Sequence, residues 1–306
     1  MNLRQLRYIT EITQRGLNIS AVAAGLHTSQ SGISKQVKLL EDELGFAIFL
    51  RSRSRLKSIT PQGQRVIAYA RDALEQISNI RAVAEFGRAA TAITVATSHT
   101  QARYVLPEVM KRFTRRYPKL RVSLLHGDPE QTAERVLSGE ADIGVSTEDA
   151  RGRKELFALH YQAYRRIVIV PRDHALLRSK RITLKALTRH PLVSYEPQFA
   201  GHREVVRAFS QAGLAPRFGL SATDADVIKT YVEQGLGIAV LSEVTFDASR
   251  DMALCSIAAD HLFPPARSHL LLHRRRFLHQ HAYEFIRICN PDWTRTYVQR
   301  AAAGAR

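Results

Sequence analysis

The chain has 306 residues, 45% hydrophobic and 24% charged, with 45 Lys and Arg against 28 Asp and Glu for a formal charge of +17 at pH 7. That length exceeds one comfortable core. It has no apolar run of the ~18 residues a membrane span needs, and Met1–Gly16 has helical periodicity rather than the apolar core of a secretion signal. Two distant cysteines, Cys255 and Cys289, fit a reducing cytoplasm better than a disulfide framework, and the positive excess favours a polyanionic partner, nucleic acid before an anionic membrane.

Leu3, Leu6, Ile9 and Ile12 recur at a spacing one helical face buries, and Gly16 stops that helix. Asn18 is a good N-cap for a second helix with Ala21, Val22 and Leu26 on its apolar face. After a break at His27 and Thr28, Ser29 or Thr28 caps a third helix. Its stripe is Ile33, Val37, Leu40 and Leu44, and Gly45 ends it. Three short helices with a tight turn before the third make a helix-turn-helix. Gln30, Ser31, Ser34, Lys35 and Lys38 lie off the stripe, toward the start of that helix. Such a face suits a major groove, with Gln and Lys reaching base edges and Ser and the helix end contacting phosphate; Thr28 and Ser29 at the helix start join the DNA-binding candidates. The plainer reading is a solvated polar face; the preceding Ala-rich helix and tight turn weigh against it.

Ile48–Leu50 and Leu56–Ile59 read as two short strands around a basic turn. Arg51, Arg53, Arg55 and Lys57 would charge this wing for phosphate contact, or form an exposed basic loop. Thr60 and Pro61 then start a long helix reaching about Phe86. Val66, Tyr69, Ala73, Ile80 and Val83 keep one seam, broken by Gln76, and Ile67, Ala70, Leu74 and Ile77 a second. A helix apolar over two seams wants a partner, either a second copy presenting two reading heads or its own domain.

The segments Leu26–Gln36, Leu40–Gly45, Phe49–Arg51 and Thr60–Gly63 resemble the LysR-type transcriptional regulators. Thr97–Tyr104 and Ala222–Val232 resemble one branch, the CysB-like regulators of sulfur assimilation with their Cbl-like relatives of sulfonate use. The resemblance spans nearly the whole chain. It implies a winged helix-turn-helix (1–59), a dimerising linker helix (60–89) and a two-lobed α/β effector domain like a periplasmic binding protein (90–306). Lobe I would hold about 90–164 and 269–306, and lobe II about 165–268. A homodimer or homotetramer is implied.

From residue 90 the pattern itself alternates. Strands are expected at 92–97, 120–125, 141–145, 166–170, 191–195 and 237–241. Helices are expected at 100–113 and 130–137, and near 183–188, 202–212 and 224–234. Alternation predicts mainly parallel sheets covered by helices, and two similar halves with crossovers near 163–166 and 265–270 predict two lobes and a cleft. Ligands of such sheets sit at strand carboxyl ends, where helix N-termini point donors outward. Ser98, Thr100 and Gln101 lie at such a junction, with Thr147 after a later strand. Together they suit an oxyanion or a small acid, although Ser98 and Thr100 are also ordinary capping residues.

In CysB-like regulators an anion-binding cleft is lined by positions matching Ser98, Thr100, Gln101 and Thr147, with an aromatic matching Tyr164. A hydroxyl-bearing position of that branch reads Ala200 here, its usual Trp reads Tyr164, and Glu196 adds a negative charge nearby. Sulfate, a sulfur-containing metabolite, O-acetylserine and N-acetylserine are the effectors the resemblance implies; the departures leave a cationic or zwitterionic ligand open. Thr223–Asp226 reads as a cap and acidic first turn, and the resemblance places Thr223 at the cleft or hinge.

His269 and His273 fall on one strand face but well apart, which disfavours a metal site, and His279 and His281 adjoin the solvated run Arg274–Arg276. The cysteines read as unrelated thiols rather than a redox switch. No GxSxG, P-loop or HExxH motif is present, so no catalytic residue, cofactor or enzyme activity is expected. The expectation is a ligand-responsive regulator bound to double-stranded promoter DNA, touching RNA polymerase if it activates, with no membrane partner. A regulator of another pathway, a small-molecule-binding protein without a DNA role, an enzyme acting on a small acid and a non-specific nucleoid-type binder are the competing readings.

Overall fold

The computed structural model describes residues 1–52, 55–86 and 92–304; Arg53 and the side chains of Arg55 and of residues 81–86, Val83 among them, lie outside the described residues. The chain divides into two compact units, Met1–Ala89 and Ala90–Arg306.

The first unit runs α1 (Leu3–Gln14), α2 (Ile19–Gly25), α3 (Gln30–Leu44), β1 (Phe49–Ser52), β2 (Arg55–Ile59) and α4 (Pro61–Phe86). Local chemistry sets these boundaries. Asn2 closes a capping box with Gln5 on α1, and Asn18 caps α2. Ser29 rather than Thr28 caps α3, its Oγ accepting the Gly32 N–H at 3.0 Å, and Gly45 closes the other end. Thr60 Oγ1 accepts the Gly63 N–H at 2.9 Å where α4 begins. The core joins Leu6, Ile9 and Ile12 of α1 to Val22, Ile33, Val37, Leu40, Ile48 and Phe49. Leu3 does not share that face: as the first helical residue it is 47% exposed, and the buried face turns through Gln5 and Tyr8 instead.

Of the two partners expected for the long helix, its own domain is the one it packs on here. Ile67 and Ala70 are buried in this core, with Val66, Ala73 and Leu74 packed against it, so the start of α4 spends its second seam and part of its first on its own domain. Tyr69 and Ile80, from the first seam, each stay 68% exposed.

Glu41 fixes the wing. Its Oε1 accepts the Ile48 and Phe49 N–H groups at 2.8 and 3.0 Å, and its Oε2 pairs with Arg51 at 3.2 Å. One carboxylate on α3 thereby sets where β1 leaves the helix. Glu41→Ala strands two N–H groups and should cost about 1–3 kcal/mol of stability, read as a lower urea midpoint for the N-terminal unit.

The second unit runs β3 (Ala92–Thr97), α5 (Leu106–Arg116, entered through a π turn at Gln101–Val105), β4 (Arg121–His126), α6 (Pro129–Ser138), β5 (Ile143–Ser146) and β6 (Leu156–Tyr164). It continues through β7 (Arg166–Pro171), α7 (Leu184–Leu187), β8 (Leu192–Tyr195), α8 (Ala200–Gln211), β9 (Phe218–Ala222), α9 (Ala225–Glu233), β10 (Ala239–Ser242) and β11 (Leu254–Ala258). β12 (Ala266–His273), α10 (Gln280–Cys289) and α11 (Arg295–Ala302) complete it. Lobe I is built on the sheet β4-β3-β5-β12-β6, and lobe II on β10-β7-β11 with the pair β8-β9. Lobe II's two pieces join where Ile238 N donates to Pro191 O and Val193 N to Ile238 O, both at 2.9 Å. A side chain at Gly237 would put its Cβ 2.2 Å from Pro191 O, so only glycine lets these segments approach.

The sheets are mixed rather than mainly parallel. β3 is parallel to β4 and β5, and β8 to β9, as helical crossovers require. β12 is antiparallel to β5 and β6, and β7 to β10 and β11. The departure has a topological cause: β6 and β12 carry the chain out of lobe I and back, and β6, β7 and β12 follow their predecessors without an intervening helix.

His273, at the end of β12, is buried, and burial pushes its pKa from 6.5 down to about 4. A depressed histidine binds fewer protons folded than unfolded, so its contribution is complete above pH 6.5 and lost as pH falls toward 4. His273→Gln should flatten that acid loss in denaturation curves taken across this window.

Candidate functional site

α3 presents Gln30, Ser31, Lys35 and Lys38 exposed and Ser34 half-buried, after an exposed Thr28 and Ser29. Not all are equally available. Ser29 Oγ is committed to its cap with Ser31 Oγ 3.3 Å away, and Gln30 Nε2 donates to Ser20 Oγ on α2 at 2.7 Å. Lys35 and Lys38 extend from the middle of the helix. In the wing, Arg51 and Lys57 are exposed, Arg51 tethered by Glu41.

The effector unit holds a cavity of about 940 Å³ lined from both lobes. Ser98, Thr100, Gln101, Thr147, Tyr164 and Ala200 all line it, so six of the seven expected effector residues come together. Thr223 does not: it is exposed on lobe II, and its neighbour Asp224 is the residue that caps α9. Glu196 lies off the lining as well, bonded to Gln198, which does line it.

Neither Ser98 nor Thr100 is spent on a cap. Ser98 Oγ and Thr147 Oγ1 meet no partner among the described residues, and Thr100 Oγ1 lies 3.3 Å from Tyr195 OH across the cleft. Gln101, buried at the start of the π turn, accepts Ser268 Oγ at 2.7 Å, which fixes its amide orientation. Burial pushes the Tyr164 phenol up to about 12, so it stays protonated as a donor.

Charge balance decides what this lining favours. Six arginines face four carboxylates around the cavity. Arg151 pairs with Asp149, Arg153 with Glu130, Arg203 with Glu148 and Arg207 with Glu204. Arg267 and Arg166 remain without an ion pair among the described residues. Arg267 is exposed, but Arg166 is only 5% exposed. Burial pulls its pKa below the ordinary arginine value, yet an arginine stays charged at neutral pH. Sequence reading missed it because a charge opening the apolar strand 166–170 reads as a strand end; only the fold shows it walled in.

A second polar network ties the lobes together. Tyr104 donates to Asp226 Oδ1 at 2.6 Å and accepts from Lys229 Nζ at 3.1 Å, while Arg103 pairs with Asp226 at 2.8 Å. Burial works against the Lys229 charge, but its hydrogen bonds to Asp251 (2.9 and 3.0 Å) and Tyr104 raise its pKa above the usual lysine value. His99 stands 4.0 Å from Asp224 and 3.8 Å from Asp226, the one metal-compatible grouping among the described residues. Asp224 is used as a cap and Asp226 is held by Arg103 and Tyr104, so both carboxylates already have protein partners.

A reading head and a ligand cleft of this kind match two family models: the bacterial regulatory helix-turn-helix protein of the lysR family over residues 3–64, and the LysR substrate binding domain over 87–293. The chain is a LysR-type transcriptional regulator. This LysR protein is 41% identical to the HTH-type transcriptional regulator CysB of Haemophilus influenzae, over 98% of the chain and 94% of the relative. It is 40% identical to SsuR of Burkholderia cenocepacia over 95% of each. The solved cofactor-binding domain of the Cbl transcriptional regulator superposes with a TM-score of 0.66 at 34% identity, covering 69% of this chain and 92% of that one. No helix among the described residues is long and apolar enough to cross a membrane.

Asp251→Ala would leave the buried Lys229 ammonium without its main partner. The loss should reach about 3–5 kcal/mol, measured as a lowered thermal midpoint for the effector unit.

Proposed function

We propose that this LysR-type regulator controls genes of sulfur assimilation or sulfonate use and is switched by a small sulfur-containing or otherwise anionic metabolite held in the cleft. The reading is carried by the cleft lining: free hydroxyls at Ser98 and Thr147, the fixed amide of Gln101, and a net excess of arginine. Relatives named CysB, SsuR and Cbl support the pathway. Sulfate, O-acetylserine and N-acetylserine are the effectors to test first.

On the DNA side, Lys35 and Lys38 with the helix end enter the major groove, and Arg51 and Lys57 hold the flanking phosphates. Two copies joined through the outward face of α4, where Tyr69 and Ile80 are exposed, present paired heads to a dyad site. Tetramer assembly and contact with RNA polymerase at activated promoters belong to the same reading. Effector binding shifts the closure of the two lobes and thereby the spacing of the heads.

Titration of genomic fragments at physiological salt, with and without the three metabolites, tests this. Selective binding whose footprint changes with one metabolite is expected; uniform weak binding to all fragments refutes it. Lys57→Ala should weaken every fragment alike and lower the salt slope by about one. Lys35→Ala should instead narrow the ratio between selected and unselected fragments.

A further inference from the structure

The reading head does not hold most of the positive charge. Of the chain's excess of 17, the second unit carries 11, with 32 Lys and Arg against 21 Asp and Glu from Ala90 to Arg306. Part of that excess is gathered, far from the cleft in sequence, on the crossover from β7 to β8, residues 172–190. Arg172, Arg178, Lys180, Arg181, Lys185 and Arg189 are all exposed there, against the single carboxylate of Asp173. None of the six has an ion pair or a side-chain hydrogen bond among the described residues. On α5, by comparison, Lys111 and Arg116 reach Glu108 and Glu284.

The fold keeps these cations on one small surface. Leu176, Ile182 and Leu187 sink into the lobe II core, which pins the turn at Ala175–Arg178 and α7 by their apolar sides. His174 and His190 bring the ends of the crossover together, their ring centroids 4.6 Å apart, and His261 holds the middle through Ile182 O at 3.0 Å. Like charges gathered without a counter-charge repel one another, a cost that a polyanion removes.

Polyanions differ in what else they ask of a surface. An anionic membrane takes up an apolar face along with the charges, and an acidic protein takes apolar or aromatic anchors. Leu177, 37% exposed, is the one large apolar side chain left outward in this stretch, because the others are spent on the core. A DNA backbone asks only for exposed cations within reach of phosphates, and the chain already binds DNA through its first unit.

We propose that the β7–β8 crossover of lobe II is a second DNA-contact surface, one that grips phosphates without reading sequence. It adds affinity and salt dependence to the selectivity supplied by α3. This contact rests on the chain's DNA binding and not on which metabolite fills the cleft.

Titration of the full chain against a selected and an unselected genomic fragment, each across a range of salt, tests it. A variant combining Arg178→Gln, Lys180→Gln, Arg181→Gln and Lys185→Gln removes four of the six charges. Its slope of log affinity against log salt should flatten by about two or more on both fragments, at roughly 0.9 per lost phosphate contact. The ratio between fragments and the thermal midpoint should stay at their wild-type values. A control changes four exposed lobe I cations, Lys119, Lys154, Arg287 and Arg300, to glutamine and should keep the wild-type slope. Arg178→Lys with Arg181→Lys, which preserves the charge, should keep it as well. An unchanged slope in the crossover variant would overturn the surface and leave the reading head standing. Equal flattening in the control would overturn it too, since net charge rather than place would be the cause. So would a variant that loses phosphatidylserine vesicles or poly-glutamate while its DNA slope is intact. Uniform weak binding of the wild type to every fragment would refute the regulator, while the slope would still read this surface.

Discussion

Burying a guanidinium without a carboxylate is unfavourable, and this fold does so at the first residue of β7, where the chain crosses from lobe I to lobe II. The Arg166 backbone is held there by strand pairing, with Ser242 opposite it on β10. The four other arginines that have a carboxylate at the cleft wall show what the site would look like if it were merely structural. Leaving one buried cation unmatched makes the crossover a place where a negative charge would be stabilised.

The cross-lobe bonds give that charge something to act on. Thr100 meets Tyr195 inside the cleft, Glu148 meets Arg203 at its wall, and Arg103 and Tyr104 meet Asp226 and Lys229 beyond it. The first and last of these contacts flank the same short stretch. The π turn at Gln101–Val105 places Gln101 in the cleft and turns Arg103 and Tyr104 toward lobe II. An extra residue in one helical turn re-aims the side chains after it, and such bulges recur at functional sites. Cleft lining and lobe contact are thus made by one short segment.

The DNA-binding unit obeys a different constraint, that of holding a wing at a fixed offset from a recognition helix with few residues. Glu41 does this by accepting two backbone N–H groups and an arginine from the first strand of the wing. Because Glu41 lies on α3 itself, the position of the basic strand follows the position of α3.

Much of this was legible in the residues. Period and caps placed α1 to α4, the wing, and most strands and helices of the effector unit, because Asn18, Ser29, Thr60 and the apolar stripes act locally. Hydroxyls and an amide at the first strand–helix junction pointed to the cleft for the same reason: their position depends only on where one strand ends. Local pattern did not reveal β6, β9, β11, α10 and α11, nor the antiparallel pairings, since a strand's direction depends on which distant strand it finds. Leu3 and Thr223 show the same limit in single residues, both fitting a local pattern and both left outside by packing. The sequence by itself determined a LysR-type reading head and a two-lobed α/β partner. Only the tertiary structure decided which charges are paired, because burying Arg166, freeing Ser98 and Thr147 and joining Lys229 to Asp251 and Tyr104 each require segments far apart in the chain to meet.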